Sequence, residues 1–129
     1  MLTRPLKGEL KLKFLGGTRE VGRSAVALGS GGRLILLDYG VKLNREPDFP
    51  LHVPPRDVDA ILLTHAHLDH SGGIPLFHIR SKIPVYSTEL TFELTRILLN
   101  DFLKLSGYYV PYDHADVEAM IDNAVFVNP

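Results

Sequence analysis

A chain of 129 residues, 45% hydrophobic and 22% charged, is long enough for one domain with a real core and too short for a second full domain. A formal net charge of −1 supplies no global field that would select a polyanion or an anionic membrane as partner. The absence of cysteine excludes disulfides and zinc–thiolate sites, so any metal must be held by nitrogen and oxygen donors. Neither the opening MLTRPLKGELKLKF nor any later run has the apolar span of a signal peptide or a membrane helix. The expectation is a soluble, cytoplasmic protein with no membrane partner.

Leu10, Leu12 and Phe14 alternate with Lys11 and Lys13, which predicts a strand with one wet face. Gly16-Gly17 ends it and opens the loop GGTREVGRS. That loop nearly spells a phosphate-binding loop, from Gly17 to Gly22-Arg23-Ser24, but such a loop needs a helix directly behind it to face the phosphates. Residues 24–29 read instead as a short strand, and arginine does not replace lysine's compact charge, so nucleotide hydrolysis is not the reading. Gly29-Ser30-Gly31-Gly32 is a hairpin signal, and RLILLDYG follows as an apolar strand. Residues 41–55 form an irregular, proline-rich excursion. DAILLTH, residues 59–65, is a short buried strand. Gly72-Gly73 opens a helical stretch through Ile74, Leu76, Phe77 and Ile79, with Pro75 tolerated in its first turn. Residues 83–88 predict another strand. Ser87 or Thr88 then caps a helix whose apolar positions Leu90, Leu94, Ile97, Leu98 and Phe102 recur at helical spacing, ending before Gly107. A short helix over 115–122 with Asp113 as its cap and a strand over 124–127 complete the pattern. Hairpins followed by strand–helix alternation imply a mixed α/β domain, a sheet packed against helices.

The chemistry concentrates in Leu-Thr-His-Ala-His-Leu-Asp-His-Ser-Gly-Gly, residues 63–73. Extended backbone sends residues i and i+2 to one side, about 6.5–7 Å apart, so His65 and His67 converge at the end of their strand. Asp69 and His70 follow where the chain turns, and approach from another direction. Imidazole and carboxylate are what a hydrolytic zinc site uses without thiolate, whereas unligated imidazoles buried beside an apolar strand would cost desolvation without return. The corner is read as a metal site.

THAHLDHSGG resembles the His-x-His-x-Asp-His signature of the metallo-β-lactamase superfamily, with Asp38 in LILLDYG matching its upstream strand-end aspartate. LGGTREVGRSA, HAHLDHSGGIP and PVYSTELT before a long helix are similar to the β-CASP branch. That branch includes ribonuclease J and the archaeal homologues of the cleavage and polyadenylation specificity factor nuclease. The resemblance implies the N-terminal part of an αββα sandwich over residues 1–129, with the downstream half and the β-CASP insertion outside this chain. It implies a zinc-dependent ribonuclease, in which a hydroxide bound to two zinc ions cleaves a phosphodiester of single-stranded RNA. His65 and His67 would ligate the first zinc, and Asp69 and His70, carrying the catalytic role, the second. Asp38 would hydrogen-bond a motif histidine and fix its orientation. The loop bearing Arg19 and Arg23 would border the active site, where these arginines either contact RNA phosphates or are ordinary surface residues.

Two ions need about six contacts and the motif supplies four, and the resemblance places the remaining ligands downstream, so the chain reads as the N-terminal portion of a longer enzyme, inactive alone, with a C-terminal partner chain, or self-association through an open sheet edge, as the expected partners. His52 and His114 read as exposed and His78 as facing water, so none completes the set. Tyr108, Tyr109 and Tyr112 read as packing a helix connection with wet hydroxyls, rather than as a base-stacking platform. Arg80, Lys82, Arg96 and Lys104 fit a solvated face. The rival readings are another hydrolase of the same superfamily, acting on a thioester or lactone, and a non-catalytic metal-binding or assembly module.

Overall fold

A computed structural model describes residues 9–129. Six strands form a single sheet in sequence order: β1 (Leu10–Gly16), β2 (Ala25–Ser30), β3 (Arg33–Leu37), β4 (Ala60–Leu62), β5 (Val85–Ser87) and β6 (Ala124–Phe126). The first three pair antiparallel, and β3 through β6 run parallel. The β2–β3 turn is made by Gly31 and Gly32, both at positive φ, the backbone a two-residue hairpin demands. The helices are α1 (Leu68–Ser71), α2 (Glu89–Ser106) and α3 (His114–Asp122). Thr88 caps α2 by accepting from the Thr91 N–H, and Asp113 with Asp116 forms a reciprocal capping box on α3. The predicted mixed α/β class and the order of its elements hold. Among the described residues no helix is long and apolar enough to cross a membrane.

The two sheet faces have different fates. Ala27, Leu36, Ile61 and Val85 lie in register across four strands and are fully buried. They share a core with Phe92, Leu99 and Phe102 of α2 and Val117 and Met120 of α3. The opposite face is also apolar, with Phe14, Val26, Leu37, Leu62, Tyr86 and Val125 in register, yet among the described residues no layer covers it. Leu10, Leu12 and Phe14, the expected dry side of β1, are therefore each more than half exposed. A contiguous apolar surface of this kind marks an interaction site or an association hazard. Concentration-dependent self-association of the chain is expected, and Leu12→Lys with Phe14→Lys should abolish it. Stability should change by only about 0.5 kcal/mol per substitution, since both residues are already more than half exposed. Size-exclusion chromatography over a wide concentration range checks this; association that persists in the double variant would locate the sticky surface elsewhere.

Two other expectations are corrected. The helical stretch after Gly73 is a 3-10 helix, Ile74–His78, and His78 on it does not face water: it is 3% exposed, with Nε2 2.8 Å from the Ile83 carbonyl. Burial holds that imidazole below its usual value, although the Ile83 and Ile74 carbonyls and Asp116 oppose the shift. Tyr112 is buried and its hydroxyl donates to the Gly72 carbonyl at 2.6 Å, so that hydroxyl is dry; Tyr108 and Tyr109 are exposed. His52 and His114 are exposed, as are Arg80, Lys82, Arg96 and Lys104.

Candidate metal centre

The histidine corner sits where β3 and β4 end side by side, at the carboxyl ends of parallel strands, the usual place for ligands on such sheets. β3 runs into Asp38, whose φ of +61° turns the chain sharply and which is 5% exposed. The Asp38 N–H donates to the Leu62 carbonyl at 2.9 Å, which keeps the two strand ends together. From there the carboxylate reaches Thr64, just past β4. Oδ1 accepts from the Thr64 N–H at 2.8 Å and Oδ2 from the Thr64 hydroxyl at 2.8 Å. Oδ2 also lies 2.7 Å from His70 Nδ1.

The motif itself is folded by its own backbone. His67 precedes α1, and the Ser71 hydroxyl donates back to the Ala66 and His67 carbonyls at 2.9 and 3.1 Å. This tight return brings His65, Asp69 and His70 together, with one ligand atom from each lying within 4.8 Å of the others. His70 Nε2 is 3.4 Å from Asp69 Oδ2, and the His65 and His70 rings are 3.8 Å apart between centroids. His67 stands further out, exposed, with its ring centroid 5.0 Å from that of His65. Nδ1 of His65 faces the Thr64 hydroxyl and Nδ1 of His70 faces Asp38, which leaves the Nε2 atoms clear of those two partners. Two imidazoles and a carboxylate converging this closely fit a divalent cation: unscreened by one, this much polar surface would gain little from proximity.

Behind these side chains the packing is close. Tyr39 N–H donates to the His70 carbonyl at 3.0 Å, Val41 N–H to Leu68 at 2.9 Å, Gly73 N–H to Tyr39 at 2.7 Å and Ser24 N–H to Asp69 at 2.8 Å. Gly40 lies against the motif backbone in a space no side chain would fit. The Tyr39 hydroxyl donates to the Leu51 carbonyl at 2.8 Å, and burial pushes its phenol up to about 12. Sequence reasoning missed Thr64 and Gly40. The only hint lay in their adjacency to motif residues, Thr64 before His65 and Gly40 in Asp38-Tyr39-Gly40.

The GGTREVGRS loop flanks the corner, pinned by Glu20. Its carboxylate accepts from Arg23 Nε at 3.0 Å, from Lys42 Nζ at 3.3 Å and from the Gly17 N–H at 3.3 Å. Desolvation would raise the Glu20 carboxyl, but these bonds outweigh it and hold it below the usual range. The Arg23 guanidinium also donates to the Phe49 carbonyl at 3.3 Å. Arg19 is exposed, at a positive φ of 57°. A largely apolar groove of about 470 Å³ is lined by Val21 of this loop, Leu43 and Leu98 of α2, and also by His67 and Asp69.

Residues 18–120 match the model of the metallo-β-lactamase superfamily. The chain belongs to that superfamily. It is 46% identical over 115 residues to RNase aCSPSF2 of Saccharolobus solfataricus, covering 87% of this chain and 23% of that protein. Ribonuclease TTHA0252 of Thermus thermophilus is 47% identical over 100 residues, 74% of this chain and 23% of its own length. Transcription termination factor FttA of Methanocaldococcus jannaschii is 37% identical over 125 residues, 90% of this chain and 20% of the factor. The superfamily chain thus spans less than a third of each of these relatives. Its fold is shared with a Thermotoga maritima protein described as a metallo-β-lactamase, at a TM-score of 0.50 and 21% identity over 92% of this chain and 58% of that one.

Proposed function

We propose that this chain is the N-terminal portion of a β-CASP-type ribonuclease that hydrolyses single-stranded RNA at a pair of zinc ions, in the cytoplasm. The observation that carries the reading is the convergence of His65, Asp69 and His70 at the carboxyl ends of β3 and β4, in a chain whose relatives are named ribonucleases. His65 and His67 would hold one ion, and Asp69 with His70 the other. Bound there, divalent metal would acidify a water and offset the charge of a phosphodiester.

The protein's own residues prepare that site. Asp38 fixes His70 through Nδ1, so that its Nε2 faces Asp69. Asp69 and His70 present their donors toward the open side of the corner, where the scissile linkage would arrive. Of the two loop arginines, Arg23 is already committed to Glu20 and Phe49, so Arg19 is the one we assign to an RNA phosphate. The uncovered apolar sheet face supports reading the chain as one half of a two-sheet sandwich, with the second sheet and the remaining ligands borne by further polypeptide.

The test is a comparison of the complete protein with this chain alone on single-stranded RNA. Cleavage by the complete protein should require zinc and cease with a chelator, and the isolated chain should not cut. Cleavage indifferent to the chelator would overturn the metal assignment. Hydrolysis of a thioester or lactone with RNA left intact would overturn the substrate.

A further inference from the structure

Thr64 stands just past β4, between the buried Asp38 carboxylate and the first motif histidine. Its hydroxyl oxygen lies 2.8 Å from Asp38 Oδ2 and 3.0 Å from His65 Nδ1. A hydroxyl has one proton to give, and a carboxylate only accepts, so the Thr64 proton goes to Asp38. The oxygen that remains faces His65 Nδ1 as an acceptor, and only the tautomer protonated at Nδ1 satisfies it. Nε2 of His65 then keeps its lone pair. The separation between the hydroxyl and His70 Nδ1 is 3.5 Å, too long to compete with the 2.7 Å contact that His70 makes to Asp38.

From this geometry we infer that Thr64 is a positioning residue, whose hydroxyl relays the orienting effect of Asp38 to His65 and so presents Nε2 of His65 as a metal donor. One carboxylate thereby sets two imidazoles, His70 directly and His65 through a single hydroxyl. The hydroxyl is itself held in place, because the Thr64 N–H donates to the other Asp38 oxygen at 2.8 Å. Among the described residues this is the hydrogen bond that the His65 ring makes. The inference rests on the metal-centre reading, and its scale follows from burial. Thr64 is exposed, so water partly replaces the hydroxyl when it is lost, and the effect falls at the low end of what an orienting partner contributes.

The experiment uses this chain, the variants Thr64→Val and Thr64→Ser, and two readouts: zinc affinity by competition with a chromophoric chelator, and the 15N shifts of the His65 ring in the metal-free chain. Val keeps the branched shape and loses the hydroxyl; Ser keeps the hydroxyl. Thr64→Val is expected to bind zinc about tenfold more weakly and to move His65 away from the Nδ1-protonated form, with Thr64→Ser restoring both. Unchanged affinity and an unchanged tautomer in Thr64→Val would overturn the inference. Should the valine variant not fold, the wild-type spectrum decides, because a His65 ring bare at Nδ1 contradicts the relay outright. Failure of the metal reading looks different: the wild-type chain would bind no more zinc than His65→Ala combined with His70→Ala, while the tautomer of His65 would still report on Thr64.

Discussion

Asp38→Asn is expected to weaken zinc binding by this chain about 100-fold, the upper end for an orienting partner, while preserving the fold. The side chain is nearly isosteric, and asparagine is among the residues that tolerate the positive φ found here. What changes is chemistry. The carboxylate accepts from the Thr64 N–H, from the Thr64 hydroxyl and from His70 Nδ1, and an amide offers only one oxygen to those three. If the amide oxygen stays on the Thr64 N–H, the NH2 group faces His70, which relieves the clash by moving its proton to Nε2. That proton then occupies the direction from which a metal must be bound. If the amide flips, the Thr64 N–H loses its partner instead. Either way the loss of charge-assisted hydrogen bonds at a buried site costs about 1.5–3 kcal/mol of stability. Denaturant unfolding and a zinc competition titration measure the two effects separately. An Asp38→Asn chain that takes up zinc as tightly as wild type would remove Asp38 from the site.

The convergence of His65, Asp69 and His70 is legible in the sequence because these side chains crowd into residues 65–70, and local spacing brings them near one another. Asp38 stands apart by 26 positions from Thr64 and 32 from His70, and meets them only because β3 and β4 pair in parallel. Nothing in a local pattern announces such a contact. Thr64 and Gly40 carry no motif weight of their own, and their roles follow from what lies across the strand ends.

Periodicity finds an element but not which of its apolar sides is covered. In α2 the expected positions Leu90, Leu94 and Ile97 are exposed at 63, 47 and 58%, and the helix buries Phe92, Thr95, Leu99, Phe102 and Leu103 instead. Phe102 belongs to both sets because it lies between two apolar stripes on opposite sides of the helix, and sequence spacing alone does not choose between them. The same ambiguity governs β1, where alternation correctly predicts a strand but not that its apolar side stays open. His78 turns inward for a different reason: Ile74–His78 winds at three residues per turn, so positions read on a 3.6-residue wheel drift toward the core.

Gly40→Ala should do the most damage to the fold, costing about 3 kcal/mol or more by overpacking a site that cannot yield. A Cβ at Gly40 would lie 1.7 Å from the Asp69 carbonyl oxygen, 2.2 Å from its carbon and 2.8 Å from the His70 nitrogen. All three are backbone atoms, so no side-chain rotation relieves the overlap. Separating the two segments would pull on the bonds that stitch them, Tyr39 N–H to His70, Val41 N–H to Leu68, Gly73 N–H to Tyr39 and Ser24 N–H to Asp69. Each of those bonds has one end on residues 68–73, in or directly after the turn that brings Asp69 and His70 to His65, so the loss of stability and the loss of zinc binding should appear together. Gly107→Ala is the matched control, since a Cβ there meets nothing within 4 Å and the backbone is right-handed at φ −57°. At such a position alanine is neutral or stabilises by about 0.4–1 kcal/mol, through fewer unfolded conformations. Denaturant midpoints for the two variants, read beside zinc titrations, decide the matter. A Gly40→Ala chain that unfolds at the wild-type midpoint and binds zinc normally would show that the strand end and the motif do not press together as this geometry requires.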